Sequence, residues 1–384
     1  MTGCIVGWAH SKFGKLEGQD VEALIVEAST NAMADAGVGP EDIDAIYLGS
    51  FNNGFADQDF PSSLVLQADE RFRFKPATRV ENACATGSAA IHQGLNFLEA
   101  KQGEIVLVVG VEKMTDTPGP DIGGILMKAS YLKEDSEIEG GFAGVFGQIA
   151  QQYYQKYGDQ SDALAKIAAK NHKNGVGNPW AQLRKDLGYE FCREISDKNP
   201  IVAGPLKRTD CSLVSDGAAA VVLTDMETAL TMKKAVIFRS RSHVNDYLPM
   251  GRRDMSQLEG CAKAWANALS DGKLTLDDLS MVETHDCFTM AELMEYEAMG
   301  LTKPGKGAQA LEEGWTEKDG KLPVNPSGGL KSKGHPIGAT GVSMHVLAAM
   351  QLRGEAGDMQ VDGTNLVGTF NMGGAGVANY VSIL

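Results

Sequence analysis

The sequence predicts an α/β protein of two similar halves, each running β–α–β–α–β, with a separate unit inserted into the first. Two observations point there: an internal repeat, and a change of texture in the middle of the chain. Asn31-Ala32-Met33-Ala34-Asp35, followed by Glu41-Asp42-Ile43-Asp44-Ala45-Ile46, recurs without a gap. The second copy is Asn267-Ala268-Leu269-Ser270-Asp271, followed by Asp277-Asp278-Leu279-Ser280-Met281-Val282. Further on, Ala85-Thr86-Gly87, with His92 after it, is matched by Ala339-Thr340-Gly341, with His345 after it. The two matches come in the same order, with a longer connection before the second one in the second half.

The elements follow from pattern. Val21, Leu24, Ile25, Ala28 and Ala32 recur at helical spacing, so residues 21–36 form a helix. Ile46-Tyr47-Leu48 and Met281-Val282 are the strands that follow the acidic pairs, and the apolar runs 105–110 and 365–370 are central strands. Residues 116 to 210 differ: they open with Pro118-Gly119-Pro120 and Gly123-Gly124 and contain two helical stretches, 146–157 and 163–172. Long insertions with glycine-rich entries commonly cover a site. The chain returns through Ser215-Asp216-Gly217 into an apolar strand. The expected division is 1–115 with 211–230 as the first half, 116–210 as the inserted loop domain, and 231–384 as the second half.

With 384 residues the chain is long enough for two or three well-buried units. A net charge of −15 argues against general nucleic-acid binding, which needs a basic face. A small anion remains open if it meets Lys207-Arg208 or Lys331 and Lys333; otherwise these cations are solvated surface. Six dispersed cysteines without a CxxC pair fit neither a disulfide scaffold nor a zinc ribbon. The apolar start, residues 1–8, is too short for a signal peptide or a span, and Ser382-Ile383-Leu384 is not a peroxisomal address, so a cytoplasmic protein with no membrane span is expected.

Three segments carry chemistry: Asn82-Ala83-Cys84-Ala85-Thr86-Gly87-Ser88, His285-Asp286-Cys287-Phe288, and Gly334-His335-Pro336-Ile337-Gly338-Ala339-Thr340-Gly341. Cys84 falls between a strand end and a helix start, where the helix dipole lowers a thiol pKa. By the internal alignment His335 lies just ahead of the equivalent turn, so packing of the halves about a pseudo-twofold axis brings it to Cys84. Two thiols and two imidazoles suit acyl transfer through a thioester. Each residue has a structural alternative: an inert core cysteine, a surface histidine, a capping His285-Asp286 pair, and a plain glycine turn at 371–376.

In this order, together with Asp216-Gly217-Ala218-Ala219-Ala220 and Gly328-Gly329, the motifs resemble the thiolase superfamily, and within it the sterol-carrier-protein-type thiolases, along essentially the whole chain. The resemblance implies a five-layered α-β-α-β-α fold with a loop domain inserted in the first half. It implies that Cys84 is the acylated nucleophile and His335 its base, that Ser212 contacts the pantetheine arm of coenzyme A, and that Phe146 borders the acyl pocket. The second cysteine common in the family, in a Cys-x-Gly motif, is replaced by Asn371-Met372-Gly373. Cys287 is the substitute, His285 supplies an oxyanion donor, and the N–H groups of Cys84 and Gly373 form the hole for the tetrahedral intermediate.

The implied activity is thiolysis of 3-oxoacyl-CoA or the reverse Claisen condensation. Coenzyme A and acyl-CoA are substrates, with no tightly bound cofactor and no metal. A homodimer or homotetramer is expected. Two alternatives stay open: a C-acyltransferase dependent on an auxiliary subunit of oligonucleotide fold, and a non-catalytic CoA-binding subunit.

Overall fold

The computed structural model describes residues 3–384. The first half runs β1 (Cys4–His10), α1 (Val21–Ala36), β2 (Ala45–Gly49), β3 (Ala77–Val80), α2 (Thr86–Glu99) and β4 (Ile105–Glu112). The insertion holds α3 (Gly119–Met127), α4 (Leu132–Asp135), α5 (Gly141–Tyr157), α6 (Ser161–Gly175), α7 (Gly188–Arg193) and the hairpin β5 (Ile201–Ala203) and β6 (Leu206–Lys207). The chain then returns with β7 (Gly217–Thr224), α8 (Met226–Ala229) and β8 (Val236–Ile237). The second half is β9 (Ser240–Asn245), α9 (Glu259–Gly272), β10 (Met281–Glu283), α10 (Thr289–Ala298), α11 (Gly307–Glu312), α12 (Gly329–Lys333), α13 (Ile337–Arg353), β11 (Val367–Gly373) and β12 (Ala378–Ile383).

Strand order exposes the duplication. The first sheet is β3-β2-β4-β7-β1-β8 and the second is β10-β11-β12-β9. Both contain a parallel pair (β2 with β4, β10 with β11) followed by two antiparallel pairings, to which the first sheet adds a second parallel pair, β3 with β2, and a third antiparallel one, β1 with β8. The counterpart of β3 is reduced to one parallel bridge, Val282 to Val324. The first sheet also takes in β8, which pairs with β1 at Cys4 with Ile237 and Ile5 with Val236.

The layers follow from burial on both faces of β4. Val106 and Val108 pack with Leu95 of α2 and Val342 and Val346 of α13, whereas Leu107 and Val109 pack with Leu24 and Ile25 of α1. A strand covered on both faces reads as a continuous apolar run, and this one is buried throughout. Each such side chain contributes about 1.5–3 kcal/mol. α13 also packs against β11, and α9 covers β9 and β12 from the far side. The stack is therefore α1, first sheet, α2 with α13, second sheet, α9. In the middle layer a Cβ on Gly87 would come within 2.6 Å of the Val342 nitrogen and 2.8 Å of the Gly341 nitrogen, so only glycine lets α2 and α13 touch.

α1 starts where the Asp20 carboxylate accepts from the Ala23 N–H at 2.8 Å and stops at Gly37 in the left-handed region. The insertion packs back on the second half, α6 against α10 and α12. Among the described residues no helix is long and apolar enough to cross a membrane.

Candidate active site

Cys84 stands in the turn between β3 and α2, and the backbone before it is strained: Ala83 has φ +49°. A non-glycine residue there costs about 1–2 kcal/mol. The turn is held by its own polar groups, since the Thr86 hydroxyl donates to the Ala83 carbonyl at 2.6 Å and accepts from the Asn82 N–H at 2.8 Å.

His335 precedes α13, at the matching place in the other half. Its N–H donates to Ser215 Oγ at 3.0 Å. Its Nδ1 lies 2.7 Å from Thr340 Oγ1, whose own proton goes to the Pro336 carbonyl at 2.8 Å. Thr340 is thus the acceptor, Nδ1 carries the hydrogen, and Nε2 keeps a lone pair that meets no protein partner. Glu112, at the end of β4, ties this region to the first half by accepting the N–H groups of Phe51, Asn52 and Gly338, each at 2.9 Å.

His285 and Cys287 follow β10. Asp286 between them accepts the N–H groups of Leu330 (2.6 Å) and Lys331 (3.1 Å), which anchors α12, the helix leading into His335. Cys287 and Phe288 lie at the start of α10, and the Cys287 carbonyl accepts the Ser212 N–H at 2.9 Å. One ligand atom each of Cys84, His285 and His335 lies within 4.8 Å of the others, and all three residues are buried. Cys84, Cys287, His335 and Ser212 line one cavity of about 380 Å³, with Met114, Leu126, Phe142 and Phe288 as its apolar wall.

Phe146 sits behind that wall, stacked on Phe288 with ring centroids 4.4 Å apart. A larger cleft, about 710 Å³, is bounded by Asp20, Glu22, Asp57, Asp116 and Asp121. It holds none of the reactive groups, and its acidic wall opposes a phosphate-bearing ligand.

Burial sets the electrostatics. It pushes the Cys84 thiol up to about 12, against the opposing pull of the Gly374 N–H directed at the sulfur. The helix end that is expected to lower this thiol is outweighed by the loss of water. Burial, with the neighbouring Lys333 cation second, holds His335 down at about 3. Cys287 is raised well above the ordinary thiol range by burial first and the adjacent Cys84 second. At neutral pH the cluster is uncharged, with thiols protonated and His335 free to accept.

Gly373 ends β11, paired with Ala378, and the N–H groups directed at the Cys84 sulfur are that of Cys84 itself and that of Gly374, the neighbour of Gly373. Asn371 likewise belongs to β11 and not to a loop. Of the four candidate cations, Arg208 alone lines the cavity and is exposed. Lys207 is buried against Asp210 at 2.9 Å, Lys331 donates to the Cys211 carbonyl at 2.6 Å, and Lys333 donates to Ser343 Oγ at 3.0 Å.

The model of the thiolase N-terminal domain matches residues 4–190, and that of the thiolase C-terminal domain-like family matches residues 242–384. An acetyl-CoA acetyltransferase of Methanothermobacter thermautotrophicus is 37% identical over 97% of this chain and 96% of its own length. The chain belongs to the thiolase family.

Sterol carrier protein 2 of Oryctolagus cuniculus is 31% identical over 97% of this chain and 70% of its own. The fold of the Ltp2-ChsH2(DUF35) aldolase superposes with a TM-score of 0.85 at 20% identity, covering 100% of this chain and 97% of that one. Human mitochondrial 3-ketoacyl-CoA thiolase in complex with CoA gives 0.76 at 18% identity, covering 99% and 97%. The enzyme is therefore a CoA-dependent acyltransferase of the thiolase type, in the layered α/β fold of that family.

Three contributors escape a reading of the sequence: Thr340, Glu112 and Asn371. Thr340 stood inside the Ala-Thr-Gly repeat, and its position five residues after His335, on the first turn of α13, is the one signal that would have found it. Glu112 reaches Gly338 from 226 residues away and leaves no local trace, and Asn371, legible only as the replaced cysteine, gives no sign of its contacts with Cys84 and His285, 287 and 86 residues away.

Proposed function

We propose that the enzyme cleaves a 3-oxoacyl-CoA by thiolysis, or runs the reverse Claisen condensation, through an acyl group carried on Cys84. The observation that carries this reading is the approach of Cys84, His285 and His335 to within 4.8 Å, with Cys287 on the wall of the same cavity. The lone pair on His335 Nε2 takes the Cys84 proton as sulfur attacks the keto carbon. The N–H groups of Cys84 and Gly373 receive the developing oxyanion, with that of Gly374 directed at the sulfur beside it. Collapse breaks the carbon–carbon bond, leaves acyl-Cys84, and releases an acetyl-CoA enolate, which the Cys287 thiol protonates at carbon.

Incoming coenzyme A then gives its thiol proton to the Cys287 thiolate and attacks the acyl group. Cys84 leaves as thiolate and recovers its proton from His335. The cycle closes with every proton returned. Ser212 is assigned to the pantetheine arm, exposed Arg208 to an anionic group at the mouth, and the Phe142–Phe288 wall to the acyl chain, with Phe146 supporting it from behind.

Acetyl-CoA should add one acetyl group to Cys84, read by intact mass and peptide mapping. Wild-type enzyme with no acyl adduct would sink the covalent route. Assembly as a homodimer or homotetramer is part of this proposal. An enzyme that is acylated alone, but forms product only with an auxiliary oligonucleotide-fold subunit and a different carbon acid, would replace thiolysis with the partner-dependent reaction.

A further inference from the structure

Asn371 occupies the position where the family's second cysteine is missing, and its side chain is engaged on both sides. It sits in β11 opposite Tyr380 and is 1% exposed. Its Nδ2 lies 3.0 Å from the Cys84 carbonyl oxygen and 3.0 Å from His285 Nδ1, while its Oδ1 meets no protein partner. A carbonyl oxygen only accepts, so the end of the amide that faces Cys84 is the nitrogen; the opposite orientation would set two oxygens against each other. The second amide hydrogen then points at His285 Nδ1, which must present a lone pair. The imidazole proton is left on Nε2.

We propose that Asn371 is a positioning residue that fixes His285 as the Nε2–H tautomer, so that this ring donates to the thioester oxygen of the bound acyl-CoA and does not act as a base. The inference rests on the reaction proposed above. The two site imidazoles are then held in opposite senses. Thr340 accepts from His335 Nδ1 and frees a lone pair at Nε2, whereas Asn371 donates to His285 Nδ1 and leaves a hydrogen at Nε2.

That difference divides the work. When carbon–carbon cleavage places the electron pair on the thioester oxygen as an enolate, a preset N–H stabilises it and a lone pair would repel it. It also makes the Cys-His-His cluster a poor metal set, because His285 offers a hydrogen where a ligand needs a lone pair.

The test is nitrogen-15 NMR of histidine-labelled full-length enzyme without substrate, with the His285 signals among the seven histidines assigned by their loss in His285→Asn. Wild type should show a lone-pair nitrogen at His285 Nδ1 and a protonated Nε2, and Asn371→Asp should move the proton to Nδ1. In kinetics, Asn371→Ala should slow carbon–carbon exchange about 10²-fold with little change in KM. In the His285→Asn background, where an amide donates whatever its neighbour, the same change should cost less than about 3-fold.

A protonated Nδ1 in the wild type, or an undiminished penalty in the His285→Asn background, overturns the inference. The NMR result needs neither a variant that folds poorly nor turnover. Failure of Cys84 to become acylated would therefore overturn the reaction and leave the tautomer assignment standing.

Discussion

The imidazoles of His285 and His335 meet edge to face, with ring centroids 5.2 Å apart and an interplanar angle of 82°. The roles proposed for them depend on which nitrogen carries hydrogen, and for His335 that is decided by Thr340. Thr340→Val keeps the shape, and the Pro336 carbonyl still accepts the Thr340 N–H at 2.9 Å, but His335 Nδ1–H is left buried without its acceptor, which should cost about 1–3 kcal/mol of stability. With the tautomer released, single-turnover acylation of Cys84 should fall at least about 10-fold, and Thr340→Ser should restore it. Acylation by the valine variant at the wild-type rate would remove Thr340 from the mechanism.

The pH dependence follows from the same pair. A base held at about 3 stays unprotonated above that pH, so acylation loses nothing as pH falls through 6.5, the ordinary histidine value. The Cys84 thiol, pushed up to about 12, keeps its proton from below. Between those limits the pair carries one proton in total. Stopped-time mass measurements of acylation should vary less than about 2-fold from pH 6 to pH 9. A rate midpoint near 6.5 would mean that His335 is solvated, against its observed burial.

The parts that the sequence made legible are those with local signatures. α1 has its expected bounds because both spacing and caps lie within the helix itself. The convergence of Cys84 and His335 was readable because duplication makes a distant contact look like a local repeat. By contrast, β8 joins the first sheet by pairing with β1 from more than 200 residues away, and nothing in Val236-Ile237 announces it. Lys331 and Lys333 read as surface because a free lysine is costly to bury; each is accommodated by an acceptor, the Cys211 carbonyl and Ser343, supplied by the fold. Asn371 read as a loop residue and a missing thiol, since both of its partners belong to other elements.

Cys287→Ala separates the two halves of the proposed reaction. The side chain is buried, and in the proposed reaction it enters only after the acyl group is on Cys84, so labelling by acetyl-CoA should stay within about 2-fold of wild type. Without its proton donor, the enolate step should slow by about 10³-fold or more, measured as exchange of labelled acetyl-CoA into a 3-oxoacyl-CoA. Loss of both activities together, with the melting temperature unchanged, would place Cys287 in the acylation step.

Gly87→Ala tests whether contact between the two halves is what aligns Cys84 with His335, the nucleophile and base proposed above. The added carbon would come within 2.6 Å of the Val342 nitrogen, 2.8 Å of the Gly341 nitrogen and 2.9 Å of the Gly338 oxygen. All three are backbone atoms of α13, so no side chain can swing away and the helices must separate. Overpacking of this kind costs about 1–3 kcal/mol. Gly87 is the third residue after Cys84, and Gly338 the third after His335, so a shift of either helix carries a reactive side chain with it. Small displacements of reacting groups can cost about 10²-fold in rate. The variant should therefore lose acylation by more than its fraction of unfolded protein explains, measured as single-turnover rate beside a thermal melt. Full activity in the folded fraction would show that the site tolerates movement at this crossing, and that alignment comes instead from the Glu112 bridge to Gly338.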